Sequence, residues 1–166
     1  MEHVKVAVWG FGAMGSGVVR ALLTKKGVDV VGVCDLHPAR VGKSMYEVLG
    51  VERGTRQDVV ISDDIDAVVR RGECDICVIA TDSFTAKVYD KVIRIAEKGV
   101  NIVTTAEEMS YPAAGEPELT AKMDACAKEH GVSILGTGVN PGLIMDVLAL
   151  CLTGGMTDVR KVTCRR

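Results

Sequence analysis

The sequence carries few of the marks of a protein that binds nucleic acid, spans a membrane or is exported. Its formal net charge is −2 and no block of basic residues occurs, which argues against nucleic acid as a partner. No apolar run approaches the length of a membrane span, so no membrane partner is expected either. The first apolar run already begins at Val4, and no signal-peptide pattern precedes it. Together these observations predict a cytoplasmic protein.

Ligand patterns for a metal site or a disulfide framework are also missing. The three histidines are scattered along the chain. The pair Cys74 and Cys77 has neither a second pair of ligands nor a place at the start of a predicted helix. Five of the six cysteines fall in apolar segments: Cys34, Cys77, Cys126, Cys151 and Cys164. We therefore expect no metal, and we interpret these five as buried free thiols.

What the sequence does contain is a regular alternation of strand and helix patterns. Its 166 residues, 48% of them hydrophobic, are enough for one full domain. The predicted strands cover residues 4–9, 28–34, 58–62, 76–80, 100–105 and 132–135. The predicted helices cover residues 14–22, 38–49, 63–71, 83–98 and 116–130. This alternation demands parallel strands, and it predicts an α/β fold with a doubly wound parallel sheet, a Rossmann domain.

The stretch from Val4 to Gly17 carries the strongest local signal. A Val-rich strand is followed there by six candidate cofactor-binding residues: Gly10, Phe11, Gly12, Ala13, Met14 and Gly15. The first glycine allows a tight turn, the second lets a pyrophosphate approach the backbone, and the third lets the helix pack on the strand. The first N–H groups of the helix favour an anion. The glycine spacing alone also fits a plain turn between strand and helix.

The second predicted strand ends in Asp35, twenty residues beyond Gly15. A carboxylate at this distance is expected to bind the adenosine ribose hydroxyls of NAD. Arg40 and Lys43 follow shortly afterwards. Either they pair with the 2′-phosphate of NADP, or they are solvated charges on a helix. The predicted cofactor is therefore NAD, or either of NAD and NADP.

Three further polar loops follow predicted strands. Because the carboxyl ends of parallel strands meet at one edge of a sheet, we expect these loops to share a crevice with the glycine turn. Thr81, Asp82 and Ser83 would reach the nicotinamide ribose. The segments Thr105–Glu108 and Thr137–Asn140 either approach the nicotinamide ring or are ordinary turns.

The end of the chain has a different pattern. Residues 143–152 are apolar almost all round, and Asp158 to Cys164 alternates as a half-buried antiparallel strand does. We interpret residues 1–140 as the dinucleotide-binding domain. Residues 141–166 would then be a linking helix and the first strand of a second domain that is missing. Alternatively, the strand adds to the same sheet or pairs with a neighbouring molecule.

Several of these segments together resemble the dihydrodipicolinate reductase-like family. Besides the glycine motif they are Asp35–Lys43, Ala80–Phe84, Thr105–Pro112 and Gly136–Gly142. The resemblance covers essentially the whole chain and the N-terminal half of family members. It implies an NAD(P)-binding domain whose missing second domain supplies much of the substrate pocket and the contact of a homodimer. It also implies that these 166 residues alone do not turn over substrate.

Within that family, the resemblance is to dehydrogenases of diamino acids, and it implies NAD(P)-linked oxidative deamination of a small amino-acid substrate. Hydride leaves the amine-bearing carbon, and water converts the resulting imine to a ketone and ammonia. Glu107 and Glu108 are the catalytic candidates, since a carboxylate can pair with a cationic amine or take a proton. Adjacent residues point in different directions, so at most one of them is expected to face the site. The alternative for both is a capping or surface carboxylate.

Two other functions stay open at this point. One is the reduction of a cyclic imine, for which the substrate-binding segment would lie in the second domain. The other is a module that senses NAD(H) without chemistry and controls assembly.

Overall fold

The computed structural model describes residues 3–163, apart from the side chain of Pro141. Within this range five parallel strands form one sheet in the order β2-β1-β3-β4-β5. The strands are β1 Val4–Trp9, β2 Val28–Cys34, β3 Ile76–Ile79, β4 Asn101–Thr104 and β5 Ile134–Gly136. The predicted α/β fold with a parallel sheet is confirmed.

Helices follow the strands in the predicted alternation. They are α1 Ala13–Leu22, α2 Met45–Leu49, α3 Ile65–Val68, α4 Thr85–Ala96, α5 Pro117–His130 and α6 Leu148–Thr153. Two short 3-10 turns, Glu107–Ser110 and Pro112–Ala114, follow β4, and a π-helical stretch, Val139–Val147, leads into α6. Among residues 3–163, none of the helices has the length and apolar character needed to cross a bilayer.

Helices pack on both faces of the sheet. Successive residues of a strand point to opposite faces, so neighbours in β1 belong to different buried clusters. In β1, Val6 and Val8 pack in a buried cluster with Val19 of α1. Ala7, between them, belongs to the cluster on the other face, which includes Val88 of α4. Burial on two faces explains why the strands read as continuous apolar runs, and it is the doubly wound arrangement that was predicted.

The predicted helix over residues 38–49 is wrong in its first half. Only Met45–Leu49 is helical, and Ser44 caps it by accepting the Tyr46 amide at 3.3 Å. Gly42 has φ +80°, a left-handed conformation that cannot continue a right-handed helix. The residues before it therefore form turns.

The predicted strand over residues 58–62 is reduced to two isolated bridges. Val60 pairs with Ser44, and Ser62 pairs with Cys34. The predicted short helix after it forms as α3, and Asp64 caps it by accepting the Asp66 amide at 2.9 Å.

The carboxyl-terminal segment does not add to the sheet, which was one of the alternatives predicted for it. Residues 158–163 form no strand and do not join the sheet, while Cys164 lies outside the described residues. An extended segment needs a partner for its backbone hydrogen bonds, and no described strand pairs with this one. The expected apolar helix is present, but Cys151, predicted to be buried, is exposed on it. The boundary at residue 140 and the second domain stay predictions.

Candidate functional site

Steric contacts in the turn between β1 and α1 require glycine at two positions. Gly10 has φ +97°, and a Cβ built on it would lie 2.5 Å from the carbonyl oxygen of Ala80. A Cβ on Gly15 would lie 1.8 Å from the oxygen of Gly10, so α1 rests directly on the turn. A Cβ on Gly12, in contrast, would meet nothing within 4 Å. The turn and packing roles predicted for the first and third glycines are confirmed, and the second leaves space for a ligand.

The first turn of α1 borders that space. The helix has no side-chain cap and no acidic residue in its first turn. Its first N–H groups have no acceptor within the helix, and the helix dipole adds a partial positive charge there. Ala13 is exposed, and Met14 is 64% exposed. This arrangement suits a phosphate group.

Phe11 has a different position from the other residues of the motif. Its side chain is 1% exposed and packs in the core, and its amide donates to a side-chain oxygen of Asp35. The Phe11 amide therefore braces the turn. It was predicted as a cofactor contact, and the structure gives it this internal partner.

Three donors hold the Asp35 carboxylate. Its Oδ2 accepts the Phe11 amide at 2.5 Å, and its Oδ1 accepts the His37 amide at 2.7 Å. The Nη1 of Arg40 lies 3.2 Å from Oδ2 and 3.4 Å from Oδ1. Burial raises the pKa of this carboxyl, but the two amides and the Arg40 charge outweigh it and lower the pKa below its usual value. Asp35 is thus an ionised acid fixed between the glycine turn and the segment after β2.

Of the two alternatives predicted for Arg40, the solvated helix charge is wrong, and the contact with a 2′-phosphate stays a prediction. The Arg40 side chain is 32% exposed and pairs with Asp35, so it is not a solvated helix charge. Lys43, the second candidate, is exposed. Asp35, the acid predicted to bind ribose, is therefore already paired with the Arg40 guanidinium.

A cleft of about 830 Å³ extends from the glycine turn past Asp35. The predicted residues that line it are Gly10, Gly12, Asp35, Arg40, Thr81 and Asp82. The lining residues that sequence reasoning did not assign to the site are Trp9, Leu36, Asp63, Asp64, Ile65, Ala80, Lys91 and Arg94. Lys91 and Arg94 lie three residues apart on α4, so they share a face of that helix. This spacing is the one sequence signal that could have linked Lys91 and Arg94 to each other. It does not show that this face of α4 borders the cleft.

Lys91 connects α4 to the loop after β3. Its Nζ donates to Thr81 Oγ1 at 2.9 Å and to Asp82 Oδ2 at 2.6 Å. The Lys91 ammonium also lowers the pKa of the Asp82 carboxyl. Thr81 and Asp82, predicted at the nicotinamide ribose, are therefore held in the cleft wall by a cation from the following helix.

A second cavity, of about 290 Å³, shares Thr81 and Asp82 with the first. It brings together Met14 of the glycine motif and six residues predicted for the nicotinamide end: Thr81, Asp82, Ser83, Thr105, Glu107 and Asn140. They come from the first turn of α1 and from the segments after β3, β4 and β5. The predicted convergence of these loops is confirmed.

The two adjacent glutamates have separate surroundings. Glu107 lines the second cavity. The Oε2 of Glu108 instead accepts the amide of Thr85, the first residue of α4, at 2.8 Å. Glu108 thus takes the capping position that was one of its alternatives, and the catalytic role of Glu107 stays a prediction.

Comparisons with known proteins agree with this fold. Residues 4–111 match the family described as dihydrodipicolinate reductase, N-terminus. Over all 166 residues the chain is 46% identical to the 2,4-diaminopentanoate dehydrogenase of Acetoanaerobium sticklandii, and it covers 46% of that protein. It is 27% identical over 164 residues to the amine dehydrogenase of Streptomyces virginiae, covering 98% of this chain and 45% of that one.

A solved structure shows the same fold. The amine dehydrogenase of Mycobacterium smegmatis superposes with a TM-score of 0.83 at 37% identity, over 94% of this chain and 45% of that one. The chain thus spans about half the length of the curated relatives it matches. Since the family match runs over 4–111 and includes β1 to β4, the chain belongs to the dihydrodipicolinate reductase family of NAD(P)-dependent oxidoreductases.

Proposed function

We propose that the chain binds NAD or NADP in the cleft beside the glycine turn, as the cofactor-binding part of an amine dehydrogenase. The observation that carries this proposal is the pairing of open space at Gly12 with a fixed carboxylate at Asp35, joined through the Phe11 amide. A diphosphate fits the first position and the hydroxyls of a ribose fit the second. The cleft volume, about 830 Å³, is in the range of cofactor sites.

Different residues of the cleft would bind different parts of the dinucleotide. The amides of Gly12, Ala13 and Met14 would hold the diphosphate. Asp35 would accept the ribose hydroxyls in place of the long, shared contact from Arg40 Nη1, at 3.2 and 3.4 Å the weakest on its two oxygens. Arg40 offers a charge for a 2′-phosphate, while Asp35 repels it. We therefore expect both cofactors to bind, with NAD the tighter.

For the reaction we propose oxidative deamination of a diamino acid. The 46% identity to the relative from A. sticklandii indicates 2,4-diaminopentanoate, with 2-amino-4-oxopentanoate and ammonia as products. When bound, the nicotinamide accepts the hydride from the amine-bearing carbon. Glu107, on the wall of the second cavity, would pair with the substrate ammonium or take its proton. Water would then add to the carbon of the resulting imine, and loss of ammonia from the carbinolamine would leave the ketone.

Cofactor binding can be measured with the natural fluorophore of the cleft. Trp9 is the single tryptophan of the chain and lines the cleft. We expect saturable quenching of its fluorescence by NADH and NADPH, and displacement by NAD and NADP. The variant Gly12→Val should fold normally, because a side chain meets open space there, and should lose binding. No saturable signal for either cofactor in the unaltered chain would refute the proposal.

The reaction is tested on the product of the complete reading frame that contains these residues. It is incubated with NAD or NADP and with 2,4-diaminopentanoate, and reduced cofactor and ammonia are measured. Turnover that Glu107→Gln abolishes supports the proposal. Turnover of a cyclic imine alone would favour the reductase, and cofactor binding without turnover of any amine or imine would favour a sensing module.

A further inference from the structure

Glu108 lies where the loop after β3 meets the turn after β4. The first of these segments carries Thr81, Asp82 and Ser83, and the second carries Glu107. All four residues line the second cavity. Any bond between the two segments therefore sets the shape of that cavity.

Glu108 makes two such bonds. Its backbone amide donates to the carbonyl oxygen of Ser83 at 3.1 Å. Its side-chain Oε2 accepts the amide of Thr85 at 2.8 Å. One residue of the second segment thus holds the first segment at two points, on either side of Phe84.

The start of α4 depends on this carboxylate. Phe84 occupies the N-cap position and provides no side-chain cap. Thr85 is fully buried, and its hydroxyl has no hydrogen-bond partner among the described residues. Glu108 supplies from another element the acceptor that a local cap normally provides, and its negative charge suits the positive end of the helix dipole.

We propose that Glu108 is a positioning residue, which holds Thr81–Ser83 in place relative to Glu107 for the nicotinamide end of the cofactor. The role rests on the proposed cofactor function. The two adjacent glutamates then have different roles: Glu107 contacts the ligand, and Glu108 holds the loop after β3 in place. The bond to the Thr85 amide is the feature that matters, so any side chain that can accept it at the same reach preserves the site.

Three substitutions at Glu108 separate the effect of side-chain length, which sets its reach to the Thr85 amide, from the effect of its charge. Glu108→Gln keeps an acceptor oxygen at the same reach and removes the charge. Glu108→Asp keeps the charge and shortens the reach, and Glu108→Ala removes both. Glu118→Ala is the control, because Glu118 is exposed in the first turn of α5. The measurements are amide hydrogen exchange of residues 82–85, which needs no ligand, and NADH affinity from Trp9 fluorescence.

We expect exchange at residues 82–85 to quicken about tenfold in the alanine and aspartate variants, with an NADH affinity about tenfold weaker. The glutamine variant should stay within about threefold of the unaltered chain on both measures, and the control should not change. Unchanged exchange in the aspartate and alanine variants would overturn the proposal. A glutamine variant as impaired as the alanine one would also overturn it, because the charge would then be decisive.

The two proposals fail in different ways. If the unaltered chain binds neither cofactor, the proposed function is wrong, and hydrogen exchange still decides whether Glu108 holds the loop. If the alanine variant does not fold, the aspartate and glutamine pair decides between reach and charge by the same exchange measurement.

Discussion

The turn between β1 and α1 and the segment over residues 139–163 are packed in opposite ways. Around the turn, a single added methyl group at Gly15 would lie 1.8 Å from a backbone oxygen. In the segment, the large apolar side chains that are exposed, between Val139 and Val162, keep 43% to 72% of their surface accessible. Both stretches are glycine-containing and apolar in sequence. The contrast shows that apolar composition indicates which side chains tend to be buried. It does not show whether they are buried within the described part of the chain.

Among the substitutions at the candidate site, the largest effect should come from Gly15→Ala. The new methyl group collides with the Gly10 backbone, which cannot move without breaking the turn, and we expect a loss of about 3 kcal/mol in unfolding free energy. Urea unfolding measures it. Gly17→Ala is the matched control in the same helix, because its Cβ meets nothing within 4 Å, and it should gain up to about 1 kcal/mol. Equal effects of the two changes would mean that the turn is no more tightly packed than its surroundings.

Asp35→Asn should cost about 1–3 kcal/mol, because one amide oxygen cannot replace two carboxylate oxygens that accept the Phe11 and His37 amides. The pH dependence follows from the lowered pKa of Asp35. Its stabilising contribution is complete above the unfolded pKa, about 3.9, and is lost as the pH falls through the lower folded value. As the pH is lowered from neutral, the unfolding free energy should therefore decline less in Asp35→Asn than in the unaltered chain.

Asp124→Asn is the control for this experiment. Asp124 pairs with Lys128 on the surface of α5, where 60% of its side chain is exposed. Such a pair contributes at most about 0.5 kcal/mol. If the acid-dependent loss of stability were the same in the Asp35 and Asp124 variants, the carboxylate beside the turn would not be the group that titrates.

Lys91→Met should weaken NADH binding about fivefold, because Asp82 loses its counter-ion beside the predicted position of the cofactor. Adding Asp82→Asn should restore most of the affinity, since the unpaired carboxylate is then gone. Trp9 fluorescence reports both. Lys122→Met is the control, because Lys122 is exposed on a different helix, α5, and its removal should leave the affinity unchanged. An affinity that the second change fails to restore would assign Lys91 a direct contact with phosphate.

The smallest effect should come from Leu150→Ala in the exposed segment. Leu150 is 72% exposed, so its removal should change the unfolding free energy by less than about 0.5 kcal/mol. Leu49→Ala is the buried comparison, at 4% exposure, with an expected cost of about 2–5 kcal/mol. A large loss at Leu150 would mean that the segment is buried in solution, and the contrast between the two regions would disappear.

Local patterns were sufficient wherever neighbouring residues decide the conformation. The apolar runs of β1 to β4 were recognised because burial on two faces makes most residues of a strand apolar. The helix predicted from residue 38 failed because its apolar spacing looks helical, whereas Gly42 adopts a left-handed conformation that spacing does not reveal. The strand predicted over 158–164 stays a prediction: no described strand pairs with residues 158–163, and pairing needs a second strand.

Glycine spacing and the order of strands were enough to identify the turn, Asp35 and the common crevice, since these depend on the backbone path of a parallel sheet. Packing in three dimensions assigned the partners of the side chains. It turned the Phe11 amide toward Asp35, brought Lys91 from α4 to Asp82, and separated Glu108 from Glu107. These contacts join residues that are 9 to 24 positions apart in the chain, and such pairings arise only when whole elements dock.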